Sequence, residues 1–163
     1  AQYMTTELTA ESLIEQARQA TGLEKFDSDS FREGLDVYLA DVNAGQPPES
    51  AVERLRQTTV QLLAGRLKVT DYLGSHPELL QRPVERPVFV FGIPRTGTTL
   101  LSNLLAADPE RRSPLTSEID DPVPPATTAT LTSDPRALAR LEMEKKMLEA
   151  NPDMGKYYRS SAV

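Results

Sequence analysis

The sequence predicts an α/β fold with an N-terminal helical region. Apolar residues repeat at helical spacing through the first 73 residues. A short apolar, β-prone run at 88–91 then leads directly into a glycine-bearing loop and a new helical pattern. We therefore predict helices packed on a core over 1–86 and the start of that α/β core over 87–163, together in one structural domain.

Three amphipathic helices are predicted in the first region. The first runs from Thr9, a plausible N-cap, to Ala20, with Gly22 as its stop. The second begins near 29–30 and ends before Gly45, and the third continues from about 49 to 73. The residues expected to face inward are Leu13, Ile14, Ala17, Ala20, Phe31, Leu35, Tyr38, Leu39, Val42, Val52, Leu55, Leu62, Leu63 and Leu67.

The second region is predicted to alternate strand, loop and helix. The run 88–91 reads as a central strand that is buried on both faces. A helix follows over 98–107, and the proline-rich stretch 111–132 is expected to be an ordered loop or short strands. A last helix starts at Asp134 and Pro135 and runs to about 150. Its inward residues are expected to be Leu138, Leu141, Met147 and Leu148.

Composition excludes several classes of function. The formal net charge of the 163 residues is -6, so no global basic surface is available for nucleic acid. There is no cysteine and only one histidine, His76, which argues against a metal site. The ordinary explanation of His76, just past a predicted helix end, is a capping or a solvated side chain. We find no apolar segment long enough to span a membrane and no leader pattern, and we expect a cytoplasmic protein.

Residues 92–99, Gly-Ile-Pro-Arg-Thr-Gly-Thr-Thr, have the glycine spacing of a phosphate-binding loop between a strand and a helix. Glycines allow backbone N–H groups to turn inward, and the helix start adds a positive dipole, so phosphate or sulfate fits. A nucleoside-triphosphatase loop has lysine where this chain has Thr98, and the cation here is Arg95. The plainer interpretation is that Gly97 only permits a tight turn.

The segment 94–100, Pro-Arg-Thr-Gly-Thr-Thr-Leu, resembles the 5′-phosphosulfate-binding loop of sulfotransferases that use 3′-phosphoadenosine-5′-phosphosulfate (PAPS). More widely, residues 8–150 resemble the N-terminal part of a bacterial, especially actinobacterial, sulfotransferase family. Segments 86–90, 108–109 and 121–125 also carry this likeness. The resemblance implies a P-loop, nucleotide-kinase-like sulfotransferase fold that is truncated here. It also implies metal-free transfer of a sulfonate from PAPS to a hydroxyl or amine.

The resemblance also assigns candidate site residues. Arg95 would be the catalytic cation, and Glu118 would be the general base if partial burial beside Leu115 and Ile119 raised its pKa. The residues expected to bind the cofactor are Pro94, Arg95, Thr96, Gly97, Thr98 and Thr99. The segment 159–161, Arg-Ser-Ser, offers the residue types that bind the 3′-phosphate, but its spacing is wrong and the role is not carried over.

Two other functions fit the same residues. The chain could be a noncatalytic nucleotide- or anion-binding module, or a truncated partner of a full-length enzyme. It could also be a P-loop kinase relative, although Thr98 argues against that reading. The expected partners are PAPS and a small-molecule, glycan or lipid acceptor, and the open edges of the predicted sheet favour a homo-oligomer.

Overall fold

The computed structural model describes residues 7–94, 96–131 and 133–153. These residues form two compact units, one ending at Pro77 and the other beginning at Glu78. We call the first the helical unit and the second the loop unit. The predicted boundary at residue 86 and the predicted single domain stay predictions, because compactness alone does not define what folds together.

The helical unit contains three helices, α1 (Ala10–Thr21), α2 (Arg32–Ala44) and α3 (Glu49–Ser75). The Thr9 hydroxyl caps α1 by accepting a hydrogen bond from the backbone N–H of Ser12, 3.3 Å away. Gly22 ends the same helix in the left-handed conformation, with φ +69°. The three predicted helices are therefore confirmed, with ends within about three residues of those expected.

Helix α1 packs against α3 and α2, and the core of the helical unit lies between them. The buried members of this core are Leu8, Ala10, Leu13, Ile14, Ala17, Leu39, Val52, Leu63 and Leu67. Three predicted core residues, Ala20, Tyr38 and Leu62, are instead exposed. On α3 the inward stripe follows the four-residue spacing of Thr59, Leu63 and Leu67, which turns Leu62 away.

Polar side chains fix the segments between these helices. The Asn43 amide accepts a hydrogen bond from Leu8 N–H at 3.2 Å and donates one to the Leu8 carbonyl at 2.9 Å. Arg66 of α3 binds both carboxylate oxygens of Asp27, at 2.6 and 2.9 Å, and lies 4.8 Å from the Phe31 ring centre. The hydrogen bond from Arg66 lowers the pKa of Asp27.

A short 3₁₀ helix (Pro77–Gln81) spans the boundary between the units, and the loop unit contains α4 (Thr98–Ala106), α5 (Thr116–Asp120) and α6 (Pro135–Ala150). The predicted start of α6 is confirmed, since the Asp134 carboxylate accepts a hydrogen bond from Arg136 N–H at 2.9 Å. Helix α5 was not predicted. Its flanking prolines pointed to a loop, but five residues between them form a helical turn.

The predicted strand is wrong for this structure. Residues 88–91 have no regular secondary structure, and Phe89 and Phe91 are 72% and 87% exposed. A strand needs neighbours for its backbone hydrogen bonds, and no strand occurs in any part of the chain that the structure describes. The α/β class is therefore not confirmed. The predicted inward residues Leu138, Leu141 and Met147 of α6 are exposed as well.

Candidate functional site

The loop between residue 92 and α4 curls back on itself. The Thr96 hydroxyl donates to the Ile93 carbonyl at 2.7 Å, and the Thr96 N–H donates to the same oxygen at 3.3 Å. Threonine closes this turn because its short side chain can reach a carbonyl three residues back. The turn holds Ile93 and Thr96 together just before the N-terminus of α4.

Gly92 lies where this curl is tightest. A Cβ atom at this position would lie 2.6 Å from Thr98 Cγ2 and 2.7 Å from Thr96 Oγ1, well inside contact distance. Only glycine fits without a shift of one of the two threonines. The glycine spacing in the sequence marks Gly92 as part of the loop, but it does not predict this close approach to the two threonines.

Gly97 joins the loop to the start of α4. Gly97 adopts φ +93°, and its carbonyl accepts the hydrogen bond from Leu101 N–H at 3.0 Å, which begins the helix. The first N–H groups of any α-helix have no acceptor inside the helix. The first turn of α4 contains no acidic residue. Its positive end is therefore suited to an oxyanion.

The predicted cofactor-binding residues fall in this one curl wherever the structure describes them. Thr98 is half-buried, and Pro94, Thr96, Gly97 and Thr99 are exposed. Arg95, the predicted cation, lies outside the described residues, as does the segment 159–161. Their roles stay predictions.

Glu118, the predicted base, is held in the first turn of α5. One carboxylate oxygen accepts a hydrogen bond from Leu115 N–H at 2.8 Å, and the other accepts one from the Arg112 guanidinium. The side chain is 17% exposed, while Ile119, which was expected to help bury it, is exposed. Burial raises the pKa of Glu118, but the hydrogen bonds from Leu115 and Arg112 outweigh it and the pKa is lowered. The expected rise is wrong.

A second cluster surrounds Glu118 where α5 meets α6. Arg136 donates to the Asp134 carboxylate at 2.6 Å and to the Asp121 carbonyl at 2.5 Å. Its hydrogen bond lowers the pKa of Asp134 to about 2. A small cavity lies here, lined by Leu115, Ser117, Glu118, Ala126, Leu131, Asp134, Arg136 and Ala137. Glu118 thus belongs to a charged cluster formed with Arg112, Asp134 and Arg136.

His76 has a capping role at the end of α3. Its Nδ1 donates to the Tyr72 carbonyl at 2.9 Å, and its ring stacks on the Tyr72 ring with centres 4.0 Å apart. One of the last carbonyls of the helix thereby gains a partner. This arrangement agrees with the capping interpretation.

Neither a metal-binding cluster nor a membrane-spanning helix is found in the part of the chain that the structure describes. No group of three or more histidine, aspartate or glutamate side chains there is placed to hold a metal ion. No helix in that part is both long and apolar enough to cross a bilayer.

Comparison with known proteins gives a consistent result. The profile of a sulfotransferase family matches residues 87–160. The sulfotransferase STF9 from Mycobacterium avium aligns with 93% of the chain at 42% identity and TM-score 0.79. The sulfotransferase STF1 from Mycobacterium tuberculosis H37Rv aligns with 91% at 29% identity and TM-score 0.76. The chain spans only 39% and 41% of these two proteins. A search of curated proteins gave no match.

Proposed function

The chain belongs to the sulfotransferase family, and on that premise we propose that it carries the PAPS-binding part of an enzyme that sulfonates a hydroxyl or amine. The observation that carries this proposal is the curl of residues 92–99 at the start of α4, with its glycine contact and left-handed Gly97. Because the chain spans about two fifths of the matched structures, turnover by this chain is part of the proposal.

The residues of the curl fit the 5′-phosphosulfate end of PAPS. Gly92 lets the backbone fold tightly and Gly97 leads it into α4, whose first N–H groups have no acceptor inside the helix and can bind an oxyanion. We assign Thr98 and Thr99 as hydroxyl donors to the 5′-phosphate, with Pro94 and Thr96 shaping the turn. When bound, PAPS supplies a sulfonate that is activated by its link to this phosphate.

Arg95 supplies the positive charge in this proposal. Negative charge builds on the oxygen of the departing phosphate during sulfonate transfer, and a fixed guanidinium beside it lowers the barrier. The support is the position of Arg95 inside the loop, together with threonine at 98 in place of the lysine of nucleoside triphosphatases. The same replacement argues against a kinase relative.

Glu118 is the proposed acceptor of the proton that leaves the hydroxyl or amine. The carboxylate is ionised at neutral pH and can accept a proton, and its lowered pKa makes it a weaker base than an ordinary glutamate. A weak base of this kind takes the proton only as the nucleophile forms its bond to sulfur. The acceptor class, whether small molecule, glycan or lipid, stays open, as do the cytoplasmic location and the homo-oligomer.

A noncatalytic anion-binding module is the second candidate. It is favoured by the exposed apolar side chains around the loop, such as Phe89 and Phe91, which the described part of the chain leaves uncovered. In this case the loop binds the nucleotide, and transfer needs further polypeptide of the length that STF9 and STF1 have.

Calorimetry with adenosine 3′,5′-bisphosphate, without magnesium and with ATP as a control ligand, tests binding. We expect saturable binding that excludes ATP, and no binding by the folded chain contradicts both candidates. A transfer assay with labelled PAPS and a panel of acceptors then separates them, since only the enzyme turns over.

The variant Arg95→Ala tests the assignment of the cation. We expect its transfer rate to fall by about 10²–10³-fold, as for loss of one transition-state donor, with a smaller loss of nucleotide affinity. Arg82→Ala, an exposed arginine earlier in the loop unit, is the matched control and should change neither quantity. Equal losses of rate and affinity in Arg95→Ala would remove its catalytic assignment.

A further inference from the structure

The carboxylate of Glu118 is held from two sides by groups of different kinds. Oε2 accepts the Leu115 N–H at 2.8 Å, a contact inside the first turn of α5. Oε1 accepts from Nη2 of Arg112, six residues earlier and outside the helix. The bond from Leu115 ties the carboxylate to the first turn of α5. The bond from Arg112 then sets the direction of the other carboxylate oxygen.

We propose that Arg112 is a positioning residue, which orients the Glu118 carboxylate through its hydrogen bond to Oε1. The proposal rests on the proposed function, because it takes Glu118 as the proton acceptor. Arg112 itself touches neither donor nor acceptor in this scheme and acts only through Glu118.

The other charged groups around Glu118 cannot replace Arg112. Arg136 and Asp134 reach the same cavity from α6, but the Arg136 guanidinium is bonded to Asp134 and to the Asp121 carbonyl. Arg136 therefore acts on Glu118 only through space. Arg111, next to Arg112 in sequence, is turned away and pairs with Asp108 at 3.2 Å.

Loss of Arg112 is expected to raise the pKa of Glu118. Burial raises the pKa of Glu118, and Arg112 and the Leu115 N–H oppose it. Without the guanidinium the opposition weakens, so the carboxyl takes up a proton at higher pH than in the wild type. A protonated Glu118 cannot accept a proton, and the acid limb of the transfer rate moves upward in pH.

The experiment compares Arg112→Gln, Arg112→Lys and, as the matched control, Arg111→Gln. Nuclear magnetic resonance follows the titration of the Glu118 side-chain carboxyl carbon, and thermal unfolding shows whether each variant is folded. We expect the midpoint of Glu118 to rise in Arg112→Gln, to rise less in Arg112→Lys and to stay unchanged in Arg111→Gln. An unchanged midpoint in folded Arg112→Gln overturns the proposal.

Transfer kinetics give an independent readout. In Arg112→Gln we expect kcat to fall about tenfold near neutral pH, with KM for PAPS unchanged and the acid limb moved to higher pH. Arg112→Lys should recover part of the rate. An unmoved acid limb in an active Arg112→Gln variant overturns the proposal. If the wild-type chain transfers no sulfonate, the proposed function fails for this chain, and the Glu118 midpoint alone decides the positioning.

Discussion

The helical unit and the loop unit hold apolar side chains at similar helical spacing but bury them very differently. In the helical unit, Leu13, Ala17 and Leu67 are completely buried. In the described residues of the loop unit, the buried side chains are those of Ser117 and Ala137, while Leu100, Leu101 and Leu104 of α4 are exposed. An apolar stripe therefore marks a surface that can be buried, and a partner element decides whether it is.

The difference follows from what each unit contains. Three helices that cross one another can cover each other's apolar faces, as α1, α2 and α3 do. A helix that follows an apolar segment, such as α4 after 88–91, normally packs on a sheet of several strands. The described residues contain no such sheet, so the loop unit keeps the curl before α4 but not a core beneath it.

The largest expected effect is a difference in lost stability between the same Leu→Ala substitution made in each unit. Leu67→Ala should lower the free energy of unfolding by about 2–5 kcal/mol, because Leu67 is 0% exposed and its removal leaves a cavity. Leu104→Ala is the matched change on a side chain that is 63% exposed, and it should change the free energy of unfolding by no more than about 0.5 kcal/mol. Chemical unfolding followed by circular dichroism measures both. A large loss in Leu104→Ala would mean that α4 is covered in solution.

A pair of glycines tests the units at the level of the backbone. In Gly92→Ala the new methyl group would collide with Thr96 and Thr98, and we expect the affinity for adenosine 3′,5′-bisphosphate to fall at least about tenfold. Gly65→Ala places the same group inside α3 with nothing within 4 Å. It should raise stability by about 0.5–1 kcal/mol and leave binding unchanged. Calorimetry and thermal unfolding give the two readouts, and unaltered binding by Gly92→Ala would contradict the tight curl.

The smallest effect concerns pH. The pKa of Asp134 in the folded chain is about 2, below its ordinary value of 3.8, so its contribution to stability is complete above 3.8 and is lost as pH falls toward 2. We expect the protection of amides at the start of α6 against exchange, relative to the unfolded chain at the same pH, to fall over this range in the wild type. Asp134→Asn keeps a capping side chain and should show a flatter dependence. Asp27→Asn should do the same for the segment that Arg66 holds in the helical unit. Identical pH profiles for wild type and variant would contradict the assignment.

Sequence reasoning worked best where short-range chemistry decides the structure. Thr9 and Gly22 bound α1 through a hydroxyl cap and a left-handed glycine, and Asp134 with Pro135 starts α6. It failed at 88–91, because burial of a strand depends on strands elsewhere in the polypeptide. It also missed α5, whose first turn is stabilised by a carboxylate that reaches back to Leu115.

The glycine spacing in the sequence located the loop of the candidate site, but it could not predict the contacts between the residues of that loop. The closeness of Gly92 to Thr96 and Thr98 depends on how the backbone curls. The direction of the Glu118 pKa was wrong because burial by Ile119 was expected, while the charge of Arg112, six residues away, was not considered. Partners that meet through a loop leave no periodic signal in the sequence.

The core of the helical unit joins residues from its first helix to residues near the middle of its third. Leu13 and Ile14 share one cluster with Leu63 and Leu67. On the ribosome, α1 therefore leaves the exit tunnel before the α3 side chains that bury it have emerged. The apolar face of α1 therefore stays exposed to water, or bound to a chaperone, until α3 emerges and the three helices can pack together.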